Sequence, residues 1–369
     1  MAEAAGDDPR ILRLENLDTD LAPPSEAIDA TREAIGRDED NSYLPFTGRL
    51  ELRETIAERH RQATGQPCDP ADVVVTCGGT EGMLDALLAL TEPGDEVILT
   101  DPTYAGMIYR VRLAGAVPRL VPFRPEGAAW RLDLDALRAS VTPRSRVVFL
   151  MNPSIPSGAV LSREEWEAVA ELCRERDLRL VYNAAMERIL FDGRTVIHPA
   201  TLSGMAERTV TVGSVSKEFR MIGWRIGWVV APPQIATEIA RVHIYNTVTA
   251  TGISQTGARA ALRAPDEDFH RCRREWERRR VALSASLMGY DAIPAAGGWS
   301  QLLDVASLGH DSFTASRLLL EHGRVAATPM RDWGGPTADR FVRLVFSNEP
   351  VERLSELGGR LAAALGRPR

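Results

Sequence analysis

The chain has 369 residues, 44% of them hydrophobic and 26% charged, which is an ordinary composition for a globular protein with a sizeable core. Its net charge of −7 at pH 7 gives no general electrostatic case for a nucleic-acid or anionic-membrane partner. No apolar run approaches the roughly 18 residues of a membrane helix, and the N-terminal segment lacks the apolar core of a secretory signal. We therefore expect a cytoplasmic protein with no nucleic-acid or membrane partner.

A basic run and the spacing of cysteines and histidines bear on whether the chain has a nucleic-acid or metal site. The basic run "RCRREWERRR" (271–280) places Glu275 and Glu277 within helical reach of its arginines, so it predicts the solvated face of a long helix. The four cysteines form no C-x-x-C pair, and the histidines show no H-x-x-x-H spacing. The sequence thus predicts reduced cysteines and no metal site.

The segments predict an α/β fold. The stretch 1–44 reads as an arm and a helix that pack on a smaller domain. In 45–265, apolar runs alternate with helical patterns, which indicates a mostly parallel mixed sheet flanked by helices. The stretch 266–369 reads as a long connecting helix and the smaller α+β domain. The strands predicted for the large domain are "DVVVTC", "EVILT", "SRVVFLMN", "LRLVYN", "RTVTVGS" and "RIGWVV".

The segment "TVTVGSVSKEFRMIGWRIGWVVAP" carries the strongest chemical signal. A predicted strand leads into Ser214, Ser216 and Lys217, and Arg225 follows eight positions after the lysine. Hydroxyls and a guanidinium suit a phosphate dianion, and a lysine amine can form a Schiff base with an aldehyde. The alternative is a surface lysine that happens to follow a strand.

S-x-S-K followed by G-x-R-x-G resembles the pyridoxal 5′-phosphate lysine signature of the class I/II aminotransferases, which are fold-type-I enzymes. Other segments resemble further blocks of that family in the same order: "NSYLPFTGRLELRETIA", "VVVTCGGTEGMLDALLAL", "PGDEVILTDPTYAGM" and "FVRLVFS". The resemblance implies that the cofactor phosphate is held by Gly78, Gly79, Thr80, Ser214, Ser216 and Arg225.

The resemblance also implies roles for the other matched residues. Lys217 would form the internal aldimine with the cofactor and then move protons as general base and acid. Tyr104 would stack on the pyridine ring, and Tyr43 would reach the phosphate of the neighbouring subunit in a homodimer. Arg343 would hold the substrate α-carboxylate. The alternatives are a core tyrosine for Tyr104 and a partly exposed edge-strand arginine for Arg343.

Several departures from the family pattern fall around the cofactor ring. The family usually has Asp, Glu and Tyr where this chain has Asn183, Ala184 and Met186. Its N-P-x-N-P-T-G block reads "NPSIPSG" here, so Asn152 is kept and Ile155 replaces the second asparagine. In the family, the aspartate pairs with the protonated ring nitrogen, while the tyrosine and the second asparagine donate to the ring oxygen O3′.

These departures leave alternatives open. Asn183 could donate a hydrogen bond to a neutral ring nitrogen or accept a weaker one from a protonated nitrogen. Natural and engineered origins of the asparagine are both compatible with the sequence. A donor to O3′ could come instead from Asn152, Tyr245 or Asn246.

The reaction implied by the resemblance is transfer of the amino group of an α-amino acid to a 2-oxo acid. Because the ring contacts are altered, the main alternative is a diverged relative that performs elimination, substitution, decarboxylation, cyclisation or oxidation, for example in specialised metabolism. A non-catalytic cofactor-binding protein is a third reading, against which Lys217 and Arg343 together argue. The substrate side chain is not indicated, although Trp299 and the arm Asn16–Pro24 are candidate pocket walls.

Overall fold

Strands supply the frame of the protein, for which a computed structural model describes residues 2–366. The strands are β1 (Leu12–Arg13), β2 (Val73–Thr76), β3 (Glu96–Asp101), β4 (Val117–Glu126), β5 (Ala129–Leu132), β6 (Ser145–Met151), β7 (Arg179–Asn183), β8 (Thr209–Ser214), β9 (Gly227–Val230), β10 (Ser300–Asp304), β11 (Val325–Ala326), β12 (Thr328–Pro329) and β13 (Phe341–Val345).

Helices follow or connect most of these strands. They are α1 (Ala2–Ala5), α2 (Ser25–Ala34), α3 (Asp38–Asn41), α4 (Leu50–Thr64), α5 (Gly79–Leu90), α6 (Ala105–Leu113), α7 (Leu134–Ala139), α8 (Arg163–Glu175), α9 (Pro233–Asn246), α10 (Gly252–Arg263), α11 (Asp266–Ser286), α12 (Ser312–Leu318), α13 (Val351–Leu354) and α14 (Leu357–Leu365). A capping box begins α8, with Ser162 and Glu165 bonding reciprocally.

Eight strands form one mixed sheet in the order β2-β9-β8-β7-β6-β3-β4-β5. Neighbours from β8 to β4 run parallel, whereas β9 and β5 each run antiparallel to their neighbours. All six predicted strands lie in this sheet. Strands β4 and β5 are not among those predicted, and β4 alternates exposed and partly buried residues and contains prolines.

The two faces of the large sheet bury separate apolar cores. Val181 of β7 lies in one core, whereas its neighbours Leu180 and Tyr182 lie in the other. This period-two alternation places Asn183, the last residue of β7, on the face of Val181. Tyr182 therefore points away from Asn183.

The chain after α11 forms a second sheet, in which β13 lies between β10 and β12. Arg343 is paired with Leu302 on one side and Thr328 on the other, so it lies in the central strand and is buried. The edge-strand alternative for Arg343 is therefore wrong.

The N-terminal stretch contacts two parts of the fold. Strand β1 pairs in parallel with β11 of the C-terminal region. Helix α2 instead packs on α10, where Thr31 Oγ1 accepts a hydrogen bond from Trp224 Nε1 (2.8 Å) and lies against Gly257. The expectation that this helix packs on the smaller domain is wrong, because its apolar face meets a helix of the stretch 45–265.

The basic run on α11 is not simply a solvated face. Arg278 and Arg279 pair with Glu275 within the helix, as predicted. However, Arg279 and Arg280 are buried and reach outward to Asp20 and Asp192, respectively. Two of the arginines therefore attach α11 to neighbouring segments.

None of the helices described in residues 2–366 combines the length and the apolarity needed to cross a membrane.

Candidate active site

The site lies where strands of the large sheet end. Met151, Asn183 and Val212 are aligned across β6, β7 and β8, and Ser214 follows two residues later. Carboxyl ends of parallel strands form the usual ligand crevice of an open α/β sheet. Residues that were far apart in sequence are thus brought to one edge.

A glycine-lined turn leads from β2 into α5. Gly78 has φ +78°, and a Cβ there would collide with the Arg225 guanidinium, while a Cβ at Gly227 would collide with the backbone of Gly78 and Gly79. The turn therefore requires glycine for both its backbone conformation and its close packing. The first backbone N–H groups of α5 lack helical partners, so this end of the helix suits an anion.

Four predicted phosphate residues border this turn. Ser214 lies against Gly79, and Ser216 is buried with its N–H donating to Ser214 Oγ (3.4 Å). Arg225 adopts φ +53° and donates through Nη1 to the carbonyl of Ile222 (2.8 Å). Thr80 is exposed on the first turn of α5.

Lys217 is half-buried just beyond β8. Its Nζ donates to the carbonyl oxygen of Leu17 (2.6 Å) and lies 5.1 Å from the centre of the Trp299 ring. Burial, helped by the charges of Arg343 and Arg225 and opposed by Asp18, lowers the pKa of Lys217 to about 8. The uncharged form, which a nucleophile requires, is therefore far more populated near neutral pH than in an ordinary lysine.

Arg343 is 5% exposed and only partly satisfied. Its Nη2 donates to the carbonyl of Glu15 (2.5 Å) and to Thr328 Oγ1 (3.1 Å), and the guanidinium lies 4.6 Å from the centre of the Trp333 ring. Its buried Nε has no hydrogen-bond partner within residues 2–366. Burial lowers the pKa of Arg343 to about 10, so the side chain remains a cation with an unused donor.

Tyr104 stands beside this arginine at the start of α6. Its ring centre lies 5.7 Å from that of Trp333 at a tilt of 58°. The guanidinium of Arg110, which also donates to the carbonyl of Thr80 (2.9 Å), lies 5.9 Å from the Tyr104 ring. Tyr104 thus lies between the glycine turn and Arg343, and it is only partly buried.

Asn183 is 4% exposed at the end of β7. Its Oδ1 accepts a hydrogen bond from the backbone N–H of Ala185 (3.1 Å). Its Nδ2 lies 3.3 Å from Met83 Sδ and 3.5 Å from Met151 Sδ. Because Met83 belongs to α5, Asn183 is on the same side of the sheet as the glycine turn.

The other residues predicted around the ring differ in exposure. Met186 and Ile155 are buried in the same apolar core, and Asn152 is buried with Oδ1 accepting the N–H of Leu161 (2.8 Å). Tyr43 is 88% exposed, and the structure of one chain does not bring it to the other site residues.

Sequence reasoning missed Trp333 and the backbone of Leu17. Trp333 lies in a loop between β12 and β13 with no motif around it, and Leu17 contributes only a carbonyl oxygen. The arm Asn16–Pro24 and Trp299, suggested as pocket walls, do lie at Lys217 through the contacts described above.

A buried polar cluster behind the glycine turn was also missed. His243 Nδ1 of α9 lies 3.0 Å from Glu81 Oε1 and 3.6 Å from Asp85 Oδ2, both on α5, and Glu81 also accepts the N–H of Cys77. The three side chains offer ligand atoms within 4.8 Å of one another, a spacing that could hold a metal ion. Glu81 and His243 are too far apart in sequence for any spacing rule to find them.

Comparisons with known proteins agree with this geometry. The family model for aminotransferase class I and II matches residues 12–361. An arginine–pyruvate transaminase of Pseudomonas aeruginosa is 34% identical over 92% of this chain and 87% of its own length. A probable N-succinyldiaminopimelate aminotransferase of Mycobacterium tuberculosis is 34% identical over 92% of this chain and 90% of its own length.

Solved structures show the same fold. The N-succinyldiaminopimelate aminotransferase of Mycobacterium tuberculosis superposes with a TM-score of 0.91 at 33% identity, covering 98% of this chain and 95% of that one. A double mutant of the Thermus thermophilus aspartate aminotransferase gives 0.90 at 31% identity, covering 96% and 92%. The chain therefore belongs to the class I and II aminotransferase family and is a fold-type-I, pyridoxal-phosphate-dependent aminotransferase.

Proposed function

We propose that Lys217 is the catalytic residue of this aminotransferase and that Arg343 binds the α-carboxylate of the amino acid and of the 2-oxo acid. The observation that carries this proposal is the buried, unpartnered Nε of Arg343 in the same site as the low-pKa amine of Lys217. A buried guanidinium with an unused donor is costly unless an anion completes it.

The glycine turn fits the cofactor phosphate. Backbone N–H groups at Gly79 and Thr80 and the side chains of Ser214, Ser216 and Arg225 supply donors and positive charge for a dianion. When bound, pyridoxal phosphate supplies an aldehyde for an amine and a ring that accepts electrons from a bond broken at the substrate Cα. Tyr104 would limit the ring on one face, and Met186 would contribute apolar surface near it.

Lys217 has two tasks in this proposal. As an uncharged amine it would hold the cofactor aldehyde, and with substrate bound it would serve as general base at the substrate Cα and general acid toward the cofactor C4′. A pKa near 8 suits both directions of proton transfer at neutral pH.

Of the three candidate donors to O3′, Asn152 fits best. Asn246 Nδ2 already donates to Asp85 Oδ1 (2.9 Å), and Tyr245 is 91% exposed. In Asn152 the amide oxygen is held by the N–H of Leu161, which leaves the amide nitrogen as the group available to a ligand. We therefore assign Asn152 as the replacement donor.

We also propose a homodimer with shared active sites, located in the cytoplasm. Exposed apolar side chains lie on two adjoining segments, linked by a hydrogen bond from Thr249 Oγ1 to the carbonyl of Pro45 (3.4 Å). A second copy would cover this patch, and its Tyr43 would then reach the phosphate. The four free cysteines suit a reducing compartment. The exposed apolar residues are Tyr43, Phe46, Leu50, Tyr245 and Val248.

The test is a spectral panel on purified enzyme. Borohydride should fix the cofactor to Lys217, and Lys217→Ala should abolish that labelling. Amino acids added without a 2-oxo acid should convert the cofactor stoichiometrically to its amine form. The panel should include cationic, acidic and aromatic amino acids, because the relatives' names span arginine, aspartate and aromatic substrates.

Other results would contradict the proposal. Turnover with ammonia release, carbon dioxide release or oxygen uptake, without the amine form, would favour the diverged reactions. No spectral response to any amino acid would favour a non-catalytic binder.

A further inference from the structure

We propose that Asn183 acts on the cofactor only as a hydrogen-bond donor, so that this enzyme holds the ring nitrogen unprotonated. The inference rests on the proposed function, because it takes Asn183 as the residue that meets the ring nitrogen. It settles which of the two possible hydrogen bonds of the asparagine is used.

The amide of Asn183 is held in one orientation. Oδ1 of Asn183 accepts the N–H of Ala185 two residues further on, which is the hydrogen bond of an Asx turn. A flipped amide would place an N–H group against that backbone N–H and lose the bond. The turn therefore holds the oxygen and leaves Nδ2, which is only a donor, as the atom that a ligand meets.

The surroundings of Nδ2 favour a neutral acceptor. The atoms within hydrogen-bond distance are the thioether sulfurs of Met83 and Met151, which are weak acceptors and carry no charge. A neutral pyridine nitrogen is a better acceptor than either sulfur, so it would take the hydrogen bond when the ring is present. A protonated nitrogen would instead place an N–H opposite an N–H, in a buried and uncharged environment.

The fixed amide oxygen and the uncharged surroundings of Nδ2 thus both favour a neutral ring nitrogen.

The expected chemical consequence is a weaker electron sink. A neutral pyridine ring stabilises negative charge at the substrate Cα less than a pyridinium does. The contacts of Lys217 and Arg343 with the substrate would then have to contribute a larger part of the rate enhancement.

Asn183→Asp is the informative variant. Asp has nearly the shape of Asn, and one carboxylate oxygen can keep the bond from Ala185 N–H. The other oxygen would lie where Nδ2 lies now and would favour a protonated ring nitrogen. The variant Gln234→Glu is a matched control, since it makes the same amide-to-carboxylate change at an exposed position in the first turn of α9.

The experiment is ¹⁵N NMR of holoenzyme reconstituted with cofactor labelled at the ring nitrogen. We expect a neutral-pyridine resonance in the wild type and in Gln234→Glu, and an upfield pyridinium resonance in Asn183→Asp. A pyridinium resonance in the wild type would overturn the inference, as would identical resonances in the wild type and Asn183→Asp.

The wild-type spectrum alone decides the protonation state, so the inference stays testable if Asn183→Asp does not fold. Failure of the wild type to take up the cofactor would be a different result, because it would refute the proposed function itself.

Discussion

At the scale of single residues, Arg343 shows how an unsatisfied group identifies a binding site. Its Nη2 donates hydrogen bonds to the carbonyl of Glu15 and the hydroxyl of Thr328. The ring of Trp333 limits where the guanidinium can lie. The buried Nε still lacks an acceptor, and it lies beside a positive charge that a carboxylate would complement. A structural arginine would be expected to have a carboxylate of the protein as its partner, whereas here the substrate would supply it.

The first prediction concerns Arg343→Gln. Losing the guanidinium charge and its charge-assisted hydrogen bonding to the carboxylate, worth about 3 kcal/mol, should lower kcat/KM by about 100-fold, mostly through KM. The free energy of unfolding should change little or rise, because a partly unsatisfied cation is no longer buried. Steady-state kinetics and denaturant unfolding check both parts. Arg340→Gln, at a half-exposed arginine near the same strand, should leave KM unchanged.

The second prediction concerns the charge on Lys217. Asp18 raises its pKa against the larger effect of burial, so Asp18→Asn should lower that pKa below about 8. The rate at which apoenzyme takes up pyridoxal phosphate should rise with pH as the amine deprotonates, and the midpoint should move to lower pH in the variant. Asp29→Asn, at an exposed carboxylate on α2, should leave the midpoint in place. An unchanged midpoint in Asp18→Asn would show that Asp18 does not act on Lys217.

At the scale of elements, helices α5 and α9 are joined by the cluster of Glu81, Asp85 and His243. Burial alone would lower the pKa of His243, but hydrogen bonds and charges from Asp85 and Glu81 outweigh it and raise the pKa to about 9. Because Glu81 also accepts the N–H of Cys77, the cluster holds the strand end that leads into the glycine turn.

The third prediction follows from that raised pKa. A group whose pKa is higher in the folded state contributes its full stability below its unfolded pKa of 6.5 and loses it as the pH rises through about 9. The free energy of unfolding should therefore fall between these values by an amount on the order of 2–3 kcal/mol. In His243→Gln this pH dependence should be largely absent, whereas the exposed His322→Gln should keep it. Equal slopes in all three proteins would contradict the ion-pair assignment.

Elements also show what the sequence could predict. The apolar strands could be predicted because burial on both faces leaves a continuous apolar run in the sequence. Lys217 could be predicted because it belongs to a short motif. Strands β4 and β5 could not be, since their residues alternate at an exposed edge. The packing of α2 on α10 and the position of Trp333 depend on which distant surfaces meet, which no local pattern records. The division at 45 and 265 into two domains remains a prediction.

At the scale of the whole molecule, the exposed apolar patch around Tyr43 and Tyr245 indicates a partner. It borders the segment between α3 and α4, close to the glycine turn through Gly48, which contacts Val75 of β2. Closed two-fold symmetry is the commonest arrangement of soluble oligomers and would place the same patch on both subunits. Sedimentation should therefore show a dimer, and Tyr245→Glu should weaken it. A monomeric wild type would refute the shared site.

The last prediction tests whether Tyr43 serves the site of the neighbouring subunit. If it does, a dimer of Lys217→Ala and Tyr43→Ala subunits has one complete site, made from the intact Lys217 of one chain and the intact Tyr43 of the other. Each variant alone should be nearly inactive at limiting cofactor, because one lacks the amine and the other lacks the tyrosine at both sites. Random reassociation of equal amounts makes half of the dimers hybrid, so activity should return to roughly a quarter of the wild-type level. Mass spectrometry should confirm that hybrid dimers have formed. If the mixture is then no more active than its separate components, Tyr43 acts in the site of its own chain or outside the site. A tyrosine that acts within its own subunit cannot be supplied by another.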